Sequence, residues 1–106
     1  MVKESIREII HLNNEAVRRA KAGELAIAAE MLSKAAHRLP GNLQVVGNAA
    51  TALLFYIFRN GPDAAKLRTA RVFQQNVEAQ YPDHPKLAEM AELMKRIHTR
   101  YAQAPK

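Results

Sequence analysis

Apolar positions recur at helical spacing along nearly the whole chain and divide it into five segments. In residues 2–22, Ile6, Ile9, Ile10, Ala16, Val17 and Ala20 share one face while Arg7, Glu8, Glu15, Arg18 and Arg19 fall elsewhere, the pattern of an amphipathic helix. Asn13 interrupts that face. It reads either as an amide at the margin of the buried stripe, bonded to backbone or water, or as a ligand contact. Gly23 permits a turn at little strain, and residues 24–39 resume with Leu25, Ala28, Leu32, Ala35, Ala36 and Leu39 on one side. So short a link predicts that the two helices pack antiparallel.

Pro40 and Gly41 stop the second helix, and Asn42 is a favourable N-cap for a third that runs to Arg59. Wound as a helix, residues 42–59 carry apolar side chains on almost every side, so the other segments must surround them. One strip alone is polar: Gln44, Asn48, Thr51 and Arg59, with Phe55 in line among them, and it is expected to stay open. Gly47, Ala49 and Ala50 allow close approach near the start of this helix, and Phe55, Tyr56, Ile57 and Phe58 read as core. Phe55 has a second reading as a ligand contact. After the break at residues 60–63, with Pro62 suited to a first helical position, a fourth helix runs to about Gln80 on a thinner apolar set of Leu67, Ala70, Phe73, Val77 and Tyr81. Pro85 opens a fifth, capped by Asp83 or His84, whose narrow stripe is Leu87, Met90, Ala91, Met94, Ile97 and Tyr101. Residues 102–106 are expected to fray.

The chain has 106 residues, 48% of them hydrophobic, enough for one compact domain and too few for two separate cores. It contains no cysteine, which excludes disulfides, thiolate metal sites and a cysteine nucleophile and suits a reducing, cytoplasmic setting. The longest apolar run, residues 52–58, is far short of the roughly 20 residues of a membrane-spanning helix, and the first residues lack a signal-peptide layout. Sixteen Lys and Arg against ten Asp and Glu give a net charge of +6, concentrated at Arg59, Lys66, Arg68 and Arg71 around the third and fourth helices. A nucleic acid or an acidic protein surface would each suit that balance. No two of His11, His37, His84 and His98 stand four apart on one helix, Ser5 and Ser33 lie in no nucleophile elbow, and no glycine-rich loop is present to cradle phosphate. No catalytic residue, cofactor or metal is therefore assigned.

Compared with itself, the chain matches Leu25, Ala28, Met31, Ala35, Leu39 and Pro40 to Leu67, Ala70, Phe73, Val77, Tyr81 and Pro82 at a constant offset of 42. Here it resembles the tetratricopeptide repeat family: Gly23, Ala28, Leu32, Ala35 and Pro40 match the second-helix signature in type and spacing, with Ala16 as the small residue of the first helix. The likeness is strongest over residues 9–42, the first repeat. It is looser over residues 43–84, a second repeat about eight residues longer than the family's usual 34 or so, and it makes residues 85–101 a capping helix. Departures include Arg19 and Glu15, where members often place an aromatic and a large apolar residue, and Gln74, aligned with Leu32.

The resemblance implies an all-α fold, a right-handed superhelical stack of antiparallel pairs whose first helices line a concave, peptide-binding groove. Carried over, the lining is Ile10, Asn13, Val17 and Lys21, then Gln44, Asn48, Thr51 and Phe55, then Lys86, Glu89 and Arg96. Some members clamp a peptide carboxylate with two Lys, two Asn and an Arg. Only Asn48 and Lys86 fill such places here, and Asn13, Val17 and Met90 hold the others, so that clamp is not expected. Similar units occur in bacterial multidomain signalling proteins, including tails of response-regulator receiver domains, which leaves open that this chain is a fragment of one. The expectation is a non-catalytic scaffold that binds a peptide or a segment of a partner protein. A basic nucleic-acid-associated domain and a self-association module that forms a homodimer stand as alternatives.

Overall fold

The computed structural model describes residues 5–102, and it is all-helical: α1 (Ile6–Lys21), α2 (Leu25–Arg38), α3 (Leu43–Asn60), α4 (Ala64–Gln80) and α5 (Pro85–Ala102). The expected start of the first helix at residue 2 lies outside the described residues, as do residues 103–106 of the tail expected to fray, whereas Ala102 is still part of α5. Among those described, α1 begins behind Ser5, whose hydroxyl accepts from the Glu8 amide while Glu8 reaches back to Ser5, a capping box. Asn42 caps α3 and Asp63 caps α4, each side chain accepting from the amide three residues on. Pro62 thus precedes the cap of α4 and does not open the helix. His84 caps α5, its Nδ1 accepting from the Lys86 amide at 3.1 Å, with Pro85 as the first helical residue. None of these helices is long and apolar enough to cross a membrane.

Cross-helix contacts fix the directions. Asn48 Nδ2 donates to Asn13 Oδ1 at 3.2 Å, linking α1 to the early part of α3. The stem of Lys86, at the start of α5, lies over Gly47, where an added Cβ would come within 3.1 Å of it; the missing side chain is what admits the lysine. At the other end the Tyr101 hydroxyl donates to the Phe58 carbonyl at 2.7 Å. So α1, α3 and α5 run the same way. On the opposite side, Asn76 and Gln80 from the end of α4 both donate to the Pro40 carbonyl just past α2, and His37 sits against Phe73 with ring centroids 5.3 Å apart. The even helices therefore run together too, reversed by short links such as the Gly23 turn with its φ of +91°.

Only α3 packs against all four other helices, leaning chiefly on α2, α4 and α5. Its buried set runs from Val45 to Leu54 without interruption and adds Ile57. Small residues at Gly47, Ala49, Ala50 and Ala52 let neighbours close in, while Val45, Val46 and Leu54 are fully buried. Each such side chain contributes about 1.5–3 kcal/mol relative to an exposed one.

Several expectations are corrected by this packing. The polar strip of α3 is not open along its length: Gln44 is exposed, but Asn48 and Thr51 are only 9% and 6% exposed. Both are satisfied internally, Asn48 by Asn13 and Thr51 by its hydroxyl bonding back to the Gly47 and Asn48 carbonyls, so neither requires water. Of the four residues 55–58 only Ile57 is fully buried. Phe55 is 40% exposed, and Tyr56 and Phe58 are half-buried beneath cations, Lys66 Nζ lying 5.1 Å from one ring and the Arg100 guanidinium 4.9 Å from the other. Ile6, Ala91 and Tyr81 are exposed, not core. In α5 the buried pair is Met90 and Leu93, one helical step apart.

Two outcomes follow from this packing. Leu54→Ala should cost about 2–5 kcal/mol in denaturant unfolding, whereas Phe55→Ala at the neighbouring exposed position should cost clearly less. In a double-mutant cycle, Asn13→Ala and Asn48→Ala should each cost roughly 1–3 kcal/mol while the pair together costs markedly less than the sum, because each single change strands one buried amide. Additive losses would mean the two amides do not act together.

A third outcome concerns acid. The Asp63 carboxyl is held below its usual range, first by the hydrogen bond from the Lys66 amide and then by the Lys66 charge. Its contribution to stability is therefore present above its unfolded value of about 4 and is lost as pH falls through the depressed folded value. Asp63→Asn, which keeps a capping acceptor but cannot titrate there, should flatten part of the acid limb of a Tm-against-pH curve; an unchanged limb would assign it to other carboxylates such as Glu15, lowered mainly by its bond from Arg18.

Candidate functional site: a recess between the odd helices

Because α1, α3 and α5 run in parallel along one side, the side chains at matching heights converge on a recess of about 390 Å³. From α1 come Val17, Ala20 and Lys21; from α3 Asn48, Thr51, Ala52, Phe55 and Arg59; from α5 Lys86 and Glu89. Leu25 and Leu32 of α2 show through at the back. The volume is at the small end of ligand sites, which span about 300–1,000 Å³.

The structure thus brings together Val17, Lys21, Asn48, Thr51, Phe55, Lys86 and Glu89 from the sequence-derived groove. Four others lie outside it. Asn13 is buried behind Asn48, its amide nitrogen donating to Asn14. Gln44 stands at the exposed edge, 3.5 Å from Asn48 Oδ1. Arg96 lies on the wet face of α5, its Nε 3.3 Å from Glu92. Ile10 is half-buried against the core. Leu25, Leu32, Ala20 and Ala52 also line the recess, although the hydrophobic pattern puts Leu25, Leu32 and Ala20 on buried faces and Ala52 in an apolar run.

The recess has a division of labour along its length. Its floor at Asn48 and Thr51 is made of polar groups already bonded within the protein, so it offers shape more than free donors. Val17, Leu25, Ala52 and the exposed ring of Phe55 form apolar walls. The rim is cationic: Lys21 and Arg59 have no carboxylate within ion-pair distance among the described residues, and the one acid present, Glu89, is 3.4 Å from Lys86 Nζ. The Lys86 side chain is 24% exposed because its stem is laid across Gly47, which holds its ammonium over the recess.

The basic residues grouped in the sequence are dispersed. Arg59 borders this recess. Lys66 faces a different hollow between α2 and α4, lined also by Glu30, His37 and Tyr56, and it pairs with Asp63 at 3.5 Å. Arg68 and Arg71 are exposed on the outer side of α4, away from its buried Ala70, Phe73 and Val77. Neither lines the recess that Arg59 borders.

The charged residues at the end of α1 brace a corner. Arg19 reaches Glu24 at 3.1 Å across the turn and Glu15 at 3.6 Å, bracing the α1–α2 corner beside the recess. Comparison of the chain with protein-family models, with curated proteins and with solved structures gives no match.

Proposed function

We propose that this chain is a non-catalytic protein-interaction domain of tetratricopeptide-like design, which holds a segment of another polypeptide in the recess between α1, α3 and α5. The observation that carries this reading is Phe55: a large aromatic side chain, 40% exposed, on the helix that is otherwise most deeply buried, standing in the wall of a recess ringed by polar groups. Exposed apolar surface with a polar rim inside a concavity is the usual form of a docking site. The repeat offset and the small-residue signature of α2 support the design, and the sequence spacing assembles its serines, histidines and carboxylates into no nucleophile, base and orienting set, which supports a binding role without chemistry. Such a scaffold would serve in a reducing, cytoplasmic setting, as the absence of cysteine suits, and a bacterial signalling protein is the context the resemblance favours.

Nucleic acid is the weaker reading, since its backbone requires a track of cations and here Arg68 and Arg71 lie on a different side from Arg59 and Lys86. Panning random displayed dodecapeptides against the immobilised protein tests the proposal. Binders should lose at least about tenfold in affinity with Phe55→Ser at unchanged Tm, as expected for a central anchor. Binders indifferent to Phe55→Ser would place docking elsewhere, and a collapse in Tm would make Phe55 part of the core.

A further inference from the structure

Resting on that reading of the recess, we infer that its occupant is an acidic segment carrying one bulky apolar side chain: the apolar residue seats against Phe55, Val17 and Leu25, and flanking carboxylates meet Lys21 and Arg59. The recess asks for both halves at once. Its walls are apolar, so a purely acidic strand would leave Phe55 uncovered, and its rim is cationic, so a purely apolar strand would desolvate charges without replacing their water.

The charge count at the rim gives the sign. Three cations, Lys21, Arg59 and Lys86, face one carboxylate, Glu89, and that carboxylate is engaged by Lys86. Lys21 and Arg59 have no such neighbour among the described residues, and they come from different helices, α1 and α3, so a bound chain can meet both. Electrostatic steering adds to this, since the whole protein carries +6 and attracts anionic partners at a distance. The recognition differs in kind from capture of a terminal carboxylate. Its acids are side chains on either side of an apolar anchor, and a segment from the middle of a chain satisfies it.

Nucleic acid shares the negative charge but not the fit. A phosphate backbone would engage Arg59 and Lys86 and leave the apolar wall at Val17 and Leu25 unused.

The test uses synthetic peptides with both ends capped, acetylated and amidated, so that no terminal charge contributes. Three are compared by fluorescence anisotropy: a leucine flanked by glutamates and aspartates, the same peptide with the leucine replaced by alanine, and one with the acids replaced by lysines. The acidic leucine peptide should bind most tightly. Its affinity should fall at least about tenfold with the alanine replacement, with Lys21→Glu plus Arg59→Glu, and between low and high salt. Lys21 and Arg59 are exposed, and circular dichroism should show the double variant folded as the parent is. If the lysine peptide binds as well as the acidic one and Phe55→Ser still abolishes both, the acidic occupant is wrong while the docking recess stands. If peptides bind but ignore Phe55→Ser, the recess itself is wrong. If a single-stranded oligonucleotide binds more tightly than the acidic peptide and loses affinity with the same double variant, the rim serves phosphate and the inference fails.

Discussion

The constraint on which the structure depends is the enclosure of α3. A helix apolar around nearly its whole circumference cannot lie at a surface, and one neighbour cannot cover it. Four do so here, α1 and α5 on one side and α2 and α4 on the other, and α3 alone reaches all of them. Its small residues set how closely they come: Ala49 and Ala50 are wholly buried, and Gly47 receives the stem of Lys86. The layered arrangement of odd and even helices is thus a solution to covering one segment.

The recess is where that covering stops. At the level of Asn48, α1 is tied to α3 by the Asn13 amide, and Thr51 closes on its own backbone, so the seam is sealed and its polar groups are satisfied. Further along α3, past Ala52, neither α1 nor α5 covers the surface fully. Phe55 and Arg59 emerge there, with Lys21 from α1 and Lys86 and Glu89 from α5 around them. Core and exposed surface share one helix: Val45 to Leu54 are buried throughout, and its later turns leave an aromatic ring and a cation exposed. The ends are fastened separately, by Tyr101 on the Phe58 carbonyl and by Asn76 and Gln80 on the Pro40 carbonyl.

What the sequence makes legible is local. The helix count, the cap at Asn42 and the opening of α5 at Pro85 rest on chemistry within three or four residues, and the sequence pattern carries them; the start of α4 is misread there, because Asp63 and not Pro62 takes the boundary. Most residues that line the recess are also singled out in the sequence, because helices that run the same way bring positions at matching heights to one side. The burial of Asn13, Asn48 and Thr51 was not legible, since each is stable inside only because of a partner the periodicity does not display: for Asn13 it stands 35 residues away, for Thr51 on its own backbone. Hydrophobic patterning also overstates residues 55–58. It scores Tyr56 and Phe58 as core, whereas their rings serve as platforms beneath Lys66 and Arg100. Leu93 was overlooked beside Met94, for adjacent apolar residues on a helix differ by about 100° and only packing decides which faces inward.

Native-state hydrogen exchange resolved by residue tests the enclosure of α3 most directly, because it ranks segments by the free energy of exposing them. The account predicts that amides from Val45 to Leu54 exchange only through global unfolding, with slower exchange than any amide of α1, α4 or α5. Exchange of those α3 amides through a partial opening, while α1 or α4 stays protected, would contradict it.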